Sequence, residues 1–210
     1  MAQRESTFVN MVAALFFVTL LSAGALGFVH DLTEDAIAEA KAGAQSAAIN
    51  RVLPGIGELG EPVSLLPEGC SDSVVVYPAY REGTLIGYAV KSSSERGFSG
   101  YLSIMAGLDT LGNFTGYEVL EHKETPGLGS KMTEWFRNPG KPGQNVIGKN
   151  PASTRFEVSK DGGDIDAITA STITSRAFLE ALRNGWEGSR AFSNLPERQE
   201  LPVEPFKEQP

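Results

Sequence analysis

The chain is poor in residues that ligate metals or form disulfides. It contains one cysteine, Cys70, and two histidines, His30 and His122. A single thiol cannot build an intramolecular disulfide, an iron–sulfur cluster or a zinc–thiolate site. The two histidines lie far apart in the sequence and do not favour a His-based site, so we predict no metal centre. Basic residues are outnumbered, 18 Lys and Arg against 26 Asp and Glu, and this balance argues against nucleic-acid binding.

One long apolar run is present near the N-terminus. Residues 8–29 carry no charge. As a helix, the run would extend about 33 Å, enough to cross a bilayer core of about 30 Å. A competing interpretation is a cleaved signal peptide that ends at the small residues 23–25. We favour a retained anchor, because the run continues past that point and exceeds the usual signal-peptide core of roughly 7–15 residues.

The charges that flank this run predict its orientation. Arg4 precedes it, whereas Asp31 and Glu34 follow it and no Lys or Arg occurs before Lys41. Basic flanks stay in the cytoplasm. We therefore expect a single-pass protein with a cytoplasmic N-terminus and with the remainder, from His30 onward, in the periplasm or the exterior.

The sequence predicts four segments. The cytoplasmic N-terminus and transmembrane helix occupy 1–29, and a juxtamembrane helix occupies 30–55, where Pro54-Gly55 stops it. A folded domain covers 56–193. The proline-rich, charged tail 194–210 is expected to be extended and flexible.

Strand-like runs dominate the first half of the folded domain. Four of them, separated by turn signals that include the serine-rich stretch 92–100, predict an antiparallel meander. They lie at 74–77, 85–90, 101–105 and 114–120. A further strand is predicted at 153–158, a short helix capped by Ser130, and a last amphipathic helix at about 173–190. Helices segregated from antiparallel strands define an α+β fold.

The most informative stretch is 166–175, DAITASTITS, directly ahead of the last helical pattern. Hydroxyl side chains at a helix start meet unpaired backbone N–H groups and the positive end of the helix dipole. A phosphate can be held there, and a hydroxyl could carry it as an ester. The alternative is an ordinary hydroxyl cap. A cap needs one hydroxyl, whereas this run supplies five: Thr169, Ser171, Thr172, Thr174 and Ser175.

Two glycine-containing loops are further candidates for a ligand site. The segment 122–129, HKETPGLG, is sharply bent, so that its backbone can approach a ligand. Glu124 and Thr125 can offer hydrogen bonds there and Leu128 an apolar wall, although the segment also fits a simple turn. In 96–101, RGFSGY, the two aromatics could pack against a planar ring or in the core.

Taken in order, these features resemble the membrane-anchored G subunit of Rnf-type ion-translocating oxidoreductases, an FMN-binding protein. The C subunit of sodium-pumping NADH:quinone reductase is similar. The resemblance covers most of residues 8–192, and the family run has the form Asp-x-x-Ser/Thr-Gly-Ala-Thr-x-Thr-Ser. On this chain its Asp falls on Asp166 and its FMN-bearing threonine on Thr172. The usual Gly-Ala is Ala170-Ser171 here, which places a second hydroxyl beside the acceptor.

The resemblance implies a covalent flavoprotein. FMN would be joined through its phosphate to Thr172 by a separate flavin transferase that uses FAD, and 56–193 would be the FMN-binding domain. Other residues implied around the cofactor are Thr169, Ser171, Ser175, Asp166, Glu124, Thr125, Leu128 and Gly129. No catalytic residue is expected, since the flavin supplies the redox chemistry.

The resemblance also implies a cellular role. The chain would relay electrons as one subunit of a ferredoxin:NAD oxidoreductase that moves Na⁺ or H⁺. Its partners would be the other subunits, the transferase and the lipid bilayer of a bacterial or archaeal inner (cell) membrane. Three alternatives stay open: a quinone-reductase C subunit or free-standing extracytoplasmic carrier, a non-redox anchored assembly module, and a hydrolase with a hydroxyl nucleophile.

Overall fold

The computed structural model describes residues 7–195 and 202–206. The chain divides into two compact units, Met1–Gly43 and Ala44–Pro210. The helices are α1 (Phe8–Val52), α2 (Met132–Trp135) and α3 (Thr172–Ser193). The strands are β1 (Glu58–Gly60), β2 (Val63–Leu65), β3 (Val74–Arg81), β4 (Thr84–Gly97), β5 (Gly100–Asp109), β6 (Phe114–His122) and β7 (Val203–Pro205).

In its described residues, the first unit is formed by α1 as far as Gly43. By length and composition, α1 can cross a membrane, and its most apolar window has a mean hydropathy of 2.3 with no residue buried inside the protein. The sequence suggested separate helices at 8–29 and 30–55, whereas the structure has one helix that ends at Val52. Between those segments no proline interrupts the chain, and Thr33 Oγ1 donates to the carbonyl of Val29 at 2.9 Å, as in a helix interior.

The second unit is built on a seven-stranded antiparallel sheet. Its strand order is β6-β5-β4-β3-β1-β7, with β2 also paired to β3. The hairpin between β3 and β4 turns through Glu82 and Gly83, both at positive φ (51° and 72°). Two such residues in a two-residue turn match the right-handed twist of the strands. The antiparallel sheet and the α+β class predicted from the sequence are confirmed.

Each face of the sheet is covered by a helix. On one face, Phe178 and Leu182 of α3 pack against strand residues such as Val90 and Ile104. On the other face, Ile49 at the end of α1 packs in a second apolar cluster. The buried members of that cluster are Ala48, Ile49, Val52, Leu53, Ala79, Ala89 and Met105. Burying apolar area on both faces fixes the register of the central strands.

The serine-rich stretch 92–100 is mostly strand, so its prediction as a turn was wrong. β4 continues to Gly97. Ser92 and Ser94 point to α3, where Ser92 Oγ donates to the Ala181 carbonyl (2.7 Å) and Ser94 Oγ to Glu180 Oε2 (2.8 Å). Buried hydroxyls with partners are tolerated in a core, and composition alone does not reveal those partners.

Two further segments differ from the sequence predictions. The strand predicted at 153–158 is wrong, because that segment forms turns and only Val158 makes an isolated bridge, to Ile165. The tail 194–210 was expected to be flexible, yet Val203–Pro205 forms β7 and pairs with β1. The rest of that tail, at 196–201 and 207–210, lies outside the described residues.

Candidate functional site

The first turn of α3 presents unpaired backbone donors. Ser171 is the N-cap residue, and its side chain makes no capping hydrogen bond. Within the described residues, the N–H groups of Thr172, Ile173 and Thr174 have no hydrogen-bond acceptor. Such groups, together with the positive end of a 22-residue helix, favour an anion. The helix start is therefore chemically suited to a phosphate.

The five hydroxyls of the run have different environments. Ser175 is fully buried, donates to the Ser171 carbonyl (2.8 Å) and accepts from the Ile168 N–H (2.9 Å). Thr174 is also buried and donates to Glu124 Oε2 at 2.8 Å. These two hydroxyls stabilise the turn. In the described part of the chain, the hydroxyls of Thr169, Ser171 and Thr172 make no hydrogen bond; Thr169 is exposed, Ser171 buried and Thr172 half-buried.

A cavity of about 340 Å³ opens at this helix start, and we call it the hydroxyl cavity. Its volume lies within the range of about 300–1,000 Å³ that is usual for cofactor pockets. Three exposed apolar side chains, Phe98, Leu128 and Ile173, form part of its wall. Its lining residues are Phe98, Glu124, Thr125, Leu128, Gly129, Ala170, Ser171, Thr172, Ile173 and Thr174. Apolar walls beside an anion-binding helix start fit a planar ring that carries a phosphate.

The loop after β6 forms a second wall of the hydroxyl cavity. Gly127, at φ 76°, donates its N–H to Ser130 Oγ at 2.9 Å. The prediction that Ser130 caps the short helix is wrong, because Ser130 lies inside a 3-10 turn at Gly129–Lys131 and α2 has no side-chain cap. Position 129 has no room for a side chain, since a Cβ there would lie 2.6 Å from Glu124 Oε2.

Glu124 joins the walls of the cavity. Its side chain is buried, and Oε1 accepts the N–H of Ser99 at 3.2 Å while Oε2 accepts the hydroxyl of Thr174. One carboxylate therefore contacts the turn after β4, the loop after β6 and the first turn of α3.

Ala170 adopts a left-handed conformation, with φ 62°. This is the position where the family run has glycine, and an L-residue is strained in this region. The bend at Ala170 precedes the N-cap residue Ser171, whose N–H donates to the Ile168 carbonyl at 3.0 Å. The loop part of the hydroxyl run therefore ends at the strained residue Ala170 and the N-cap Ser171, and α3 begins at Thr172.

Three of the sequence-predicted residues do not line the cavity: Asp166, Thr169 and Ser175. The main chain of Asp166 positions the run, because its N–H donates to the Gly143 carbonyl (2.6 Å) and its carbonyl accepts the Trp135 indole N–H (3.0 Å). The structure brings the other predicted residues together, and the assignment of all of them to a cofactor stays a prediction. Ile173 also lines the cavity, and the sequence did not predict it. Its position could have indicated a ligand contact, because it is an apolar residue in the first turn that lies away from the buried face of α3.

An ion pair lies one turn after Thr172. Arg176 donates two hydrogen bonds to Asp161, at 2.6 Å and 2.9 Å. These hydrogen bonds hold the pKa of the exposed Asp161 carboxyl below its ordinary value and raise the pKa of Arg176. This guanidinium is engaged with Asp161, so within the described residues the free N–H groups of α3 and the unbonded hydroxyl of Ser171 are nearer donors for an anion at Thr172.

A larger groove of about 860 Å³ lies elsewhere in the second unit, between Gln45 and the β1–β7 edge. Its best-defined polar contact is internal, a hydrogen bond of 2.9 Å from Gln45 Nε2 to the Tyr77 hydroxyl. Burial raises the pKa of Tyr77, so the phenol stays neutral. Among its described lining residues no set of free donors converges on one point, so this groove is a weaker candidate than the hydroxyl cavity.

Comparison with known proteins defines the class. Residues 97–187 match the family model described as FMN-binding domain. That span contains the turn after β4, the loop after β6 and the start of α3, so the three walls of the hydroxyl cavity all fall inside it. The chain is thus a protein with an FMN-binding domain.

Whole-chain relatives define the family more closely. The G subunit of the ion-translocating oxidoreductase complex of Yersinia pestis is 32% identical over 180 residues, 80% of this chain and 84% of the relative. The protein of the same name from Vibrio vulnificus (strain YJ016) is 34% identical, over 77% of this chain and 79% of the relative. The one from Escherichia coli (strain K12) is 31% identical, over 79% of this chain and 84% of the relative. The chain belongs to this family, the G subunits of ion-translocating oxidoreductase complexes.

Proposed function

We propose that this chain is the electron-transfer flavoprotein subunit of an Rnf-type, ion-translocating oxidoreductase complex and that it carries FMN as a phosphoester on Thr172. The observation that carries the proposal is the hydroxyl cavity, where a free hydroxyl and unpaired helix N–H groups lie beside apolar walls. Family membership supports the partner set, namely the other subunits of such a complex. The electrons would pass between ferredoxin and NAD.

Thr172 is the best acceptor among the hydroxyls of the run. Thr174 and Ser175 are buried and already hydrogen-bonded, whereas Thr172 lines the cavity and its hydroxyl is free among the described residues. In the proposed maturation step, Thr172 Oγ attacks the FMN phosphorus of FAD. The new Oγ–P bond replaces a pyrophosphate P–O bond, AMP leaves and the hydroxyl proton passes to solvent. The transferase supplies FAD and the active site for this reaction.

The chain's own residues then have distinct tasks. The N–H groups of Thr172, Ile173 and Thr174 stabilise the phosphate charge. Phe98, Leu128 and Ile173 would give the ring apolar contacts and exclude water from it, and Thr125 and Gly129 would line the same cavity. Bound in this way, FMN supplies the one- and two-electron chemistry, and the protein fixes its place. We further propose that α1 anchors the domain on the outer side of the cell membrane, where a covalent link prevents loss of the cofactor.

The test is a single substitution with neighbouring controls. Full-length chain co-expressed with a flavin transferase should fluoresce on a denaturing gel, and its intact mass should exceed the polypeptide mass by one FMN less one water. Thr172→Val should abolish both signals, because it removes the acceptor oxygen and keeps the side-chain volume. Ser171→Ala and Thr169→Val should retain them.

Two outcomes would contradict this proposal. Flavin that stays attached in Thr172→Val would exclude Thr172 as the acceptor, and its loss in Ser171→Ala instead would move the ester to Ser171. A wild-type chain that carries no flavin when purified from active membranes would refute the redox function itself.

A further inference from the structure

Within the part of the chain that the structure describes, Glu124 is a buried carboxylate with no cationic partner. Its side chain is 5% exposed, and its two oxygens accept hydrogen bonds from the Ser99 N–H (3.2 Å) and the Thr174 hydroxyl (2.8 Å). An ionised carboxylate, which only accepts, satisfies this geometry. Among the described residues, no Lys, Arg or His forms an ion pair with it. Buried charges usually have such a partner, so this one needs an explanation.

The arginines near the hydroxyl cavity are engaged elsewhere. Arg96 pairs with Glu180 at 3.1 Å, and Arg176 pairs with Asp161. Neither guanidinium is therefore available to neutralise Glu124. The hydrogen bonds from Ser99 and Thr174 hold its carboxylate without removing its net charge.

The carboxylate is also fixed in place. A Cβ at Gly97 would lie 2.6 Å from Oε1, and a Cβ at Gly129 would lie 2.6 Å from Oε2. The two glycines therefore let the backbone approach both oxygens closely, and the hydrogen bonds from Ser99 and Thr174 hold the carboxylate where it lies. Because Glu124 lines the hydroxyl cavity, a ring in that cavity would lie close to this carboxylate, and Coulomb interactions beside buried groups are stronger than in bulk water.

We propose that Glu124 lowers the reduction potential of the flavin held in the hydroxyl cavity. Full reduction of an isoalloxazine takes up two electrons with one or two protons, and uptake of a single proton leaves one net negative charge. A fixed carboxylate opposes that gain, so the bound flavin is a stronger reductant than it would be beside a neutral side chain. This inference rests on the proposed function, because it requires FMN in the cavity.

The test compares Glu124→Gln with wild type in the full-length, flavin-loaded chain. Glutamine keeps the shape, and its amide can accept from Ser99 and donate to the Thr174 hydroxyl. In a dithionite titration with redox dyes, Glu124→Gln should favour two-electron reduction at least about tenfold, a rise of about 30 mV in midpoint potential. Glu121→Gln, which removes an exposed charge three residues earlier, should change that equilibrium by less than about twofold.

A second pair of variants separates charge from packing. Thr174→Val removes the hydroxyl donor and leaves the carboxylate less shielded, so reduction should become about two- to threefold less favourable. Thr174→Ser keeps the donor and should retain the wild-type potential. Opposite shifts in Glu124→Gln and Thr174→Val support a charge effect, whereas a purely structural role would move both in the same direction.

Several results would overturn the inference. A flavin-loaded Glu124→Gln chain with the wild-type potential would do so, and so would a raised potential in Thr174→Val, even if Glu124→Gln yields no folded protein. Both outcomes leave the proposed function intact, because flavin content is read separately from visible absorbance per chain. Absence of flavin from the wild-type chain instead refutes the proposed function.

Discussion

At the scale of single residues, the site depends on Ala170 and on the hydroxyls that follow it. From the sequence, five hydroxyls ahead of a helix predict a phosphate site because they exceed what a cap needs, and that assignment stays a prediction. The different roles of the individual hydroxyls could not be predicted from the sequence. Thr174 contacts Glu124 across fifty positions of the chain, and no local pattern encodes that contact.

The left-handed Ala170 gives a stability prediction. Ala170→Gly should raise the free energy of unfolding by roughly 0.5–1 kcal/mol, since relief of about 1–2 kcal/mol of left-handed strain exceeds the entropy cost of glycine. The measurement is urea denaturation of the full chain in detergent.

Ala152 offers a matched control for that substitution. It is an exposed turn residue and is not among the residues at positive φ. Ala152→Gly should therefore lower stability, by about 0.4–1 kcal/mol. If Ala170→Gly were destabilised to the same extent, φ at position 170 would not be strained.

At the scale of elements, the sequence predicts where strands begin better than where they end. The starts of β3 to β6 lie within one residue of the predicted runs, because β-branched and aromatic residues begin there. The end of β4 was missed because the polar residues Ser92 and Ser94, which continue the strand, bond to α3. The short strands β1 and β2 lacked any alternating pattern long enough to predict them.

The packing of α3 against the sheet depends on a glycine. A Cβ at Gly188 would lie 2.3 Å from Val74 Cγ2. Gly188→Ala should therefore lower the free energy of unfolding by about 1–3 kcal/mol through overpacking, measured by thermal or urea denaturation.

Gly185→Ala on the same helix is the control. There the nearest atom is the Ser92 hydroxyl at 3.2 Å, so a gain in helix propensity of about 1 kcal/mol offsets the tighter contact. In a double-mutant cycle, Val74→Ala should cost less in the Gly188→Ala background than in wild type. Additive effects would show that the two side chains do not clash.

At the scale of the whole molecule, composition alone predicts a membrane anchor, because a charge-free apolar run of this length is typical of a membrane span, and α1 is long and apolar enough to be one. Its orientation depends on the positive-inside rule. The structure adds that Cys70 is a poor natural probe of sidedness, since burial first, and then the nearby carboxylates of Glu187, Glu180 and Asp72, raise the pKa of its thiol.

An introduced cysteine can test the orientation. In a Cys70→Ser background, Glu68→Cys places a thiol at an exposed position. If the domain faces outward as proposed, a membrane-impermeant maleimide added to spheroplasts should label Glu68→Cys. Ala2→Cys should be labelled only after permeabilisation. The reverse pattern would place the FMN-binding domain in the cytoplasm.

Strand β7 has a consequence for how the protein is made. It pairs with β1, Glu58 opposite Pro205 and Gly60 opposite Val203, so the β1 edge finds its neighbour only after position 205 has left the ribosome. Until then that edge is open to other nascent chains. Pairing of β1 with β7 therefore follows the synthesis of every other strand that the structure describes.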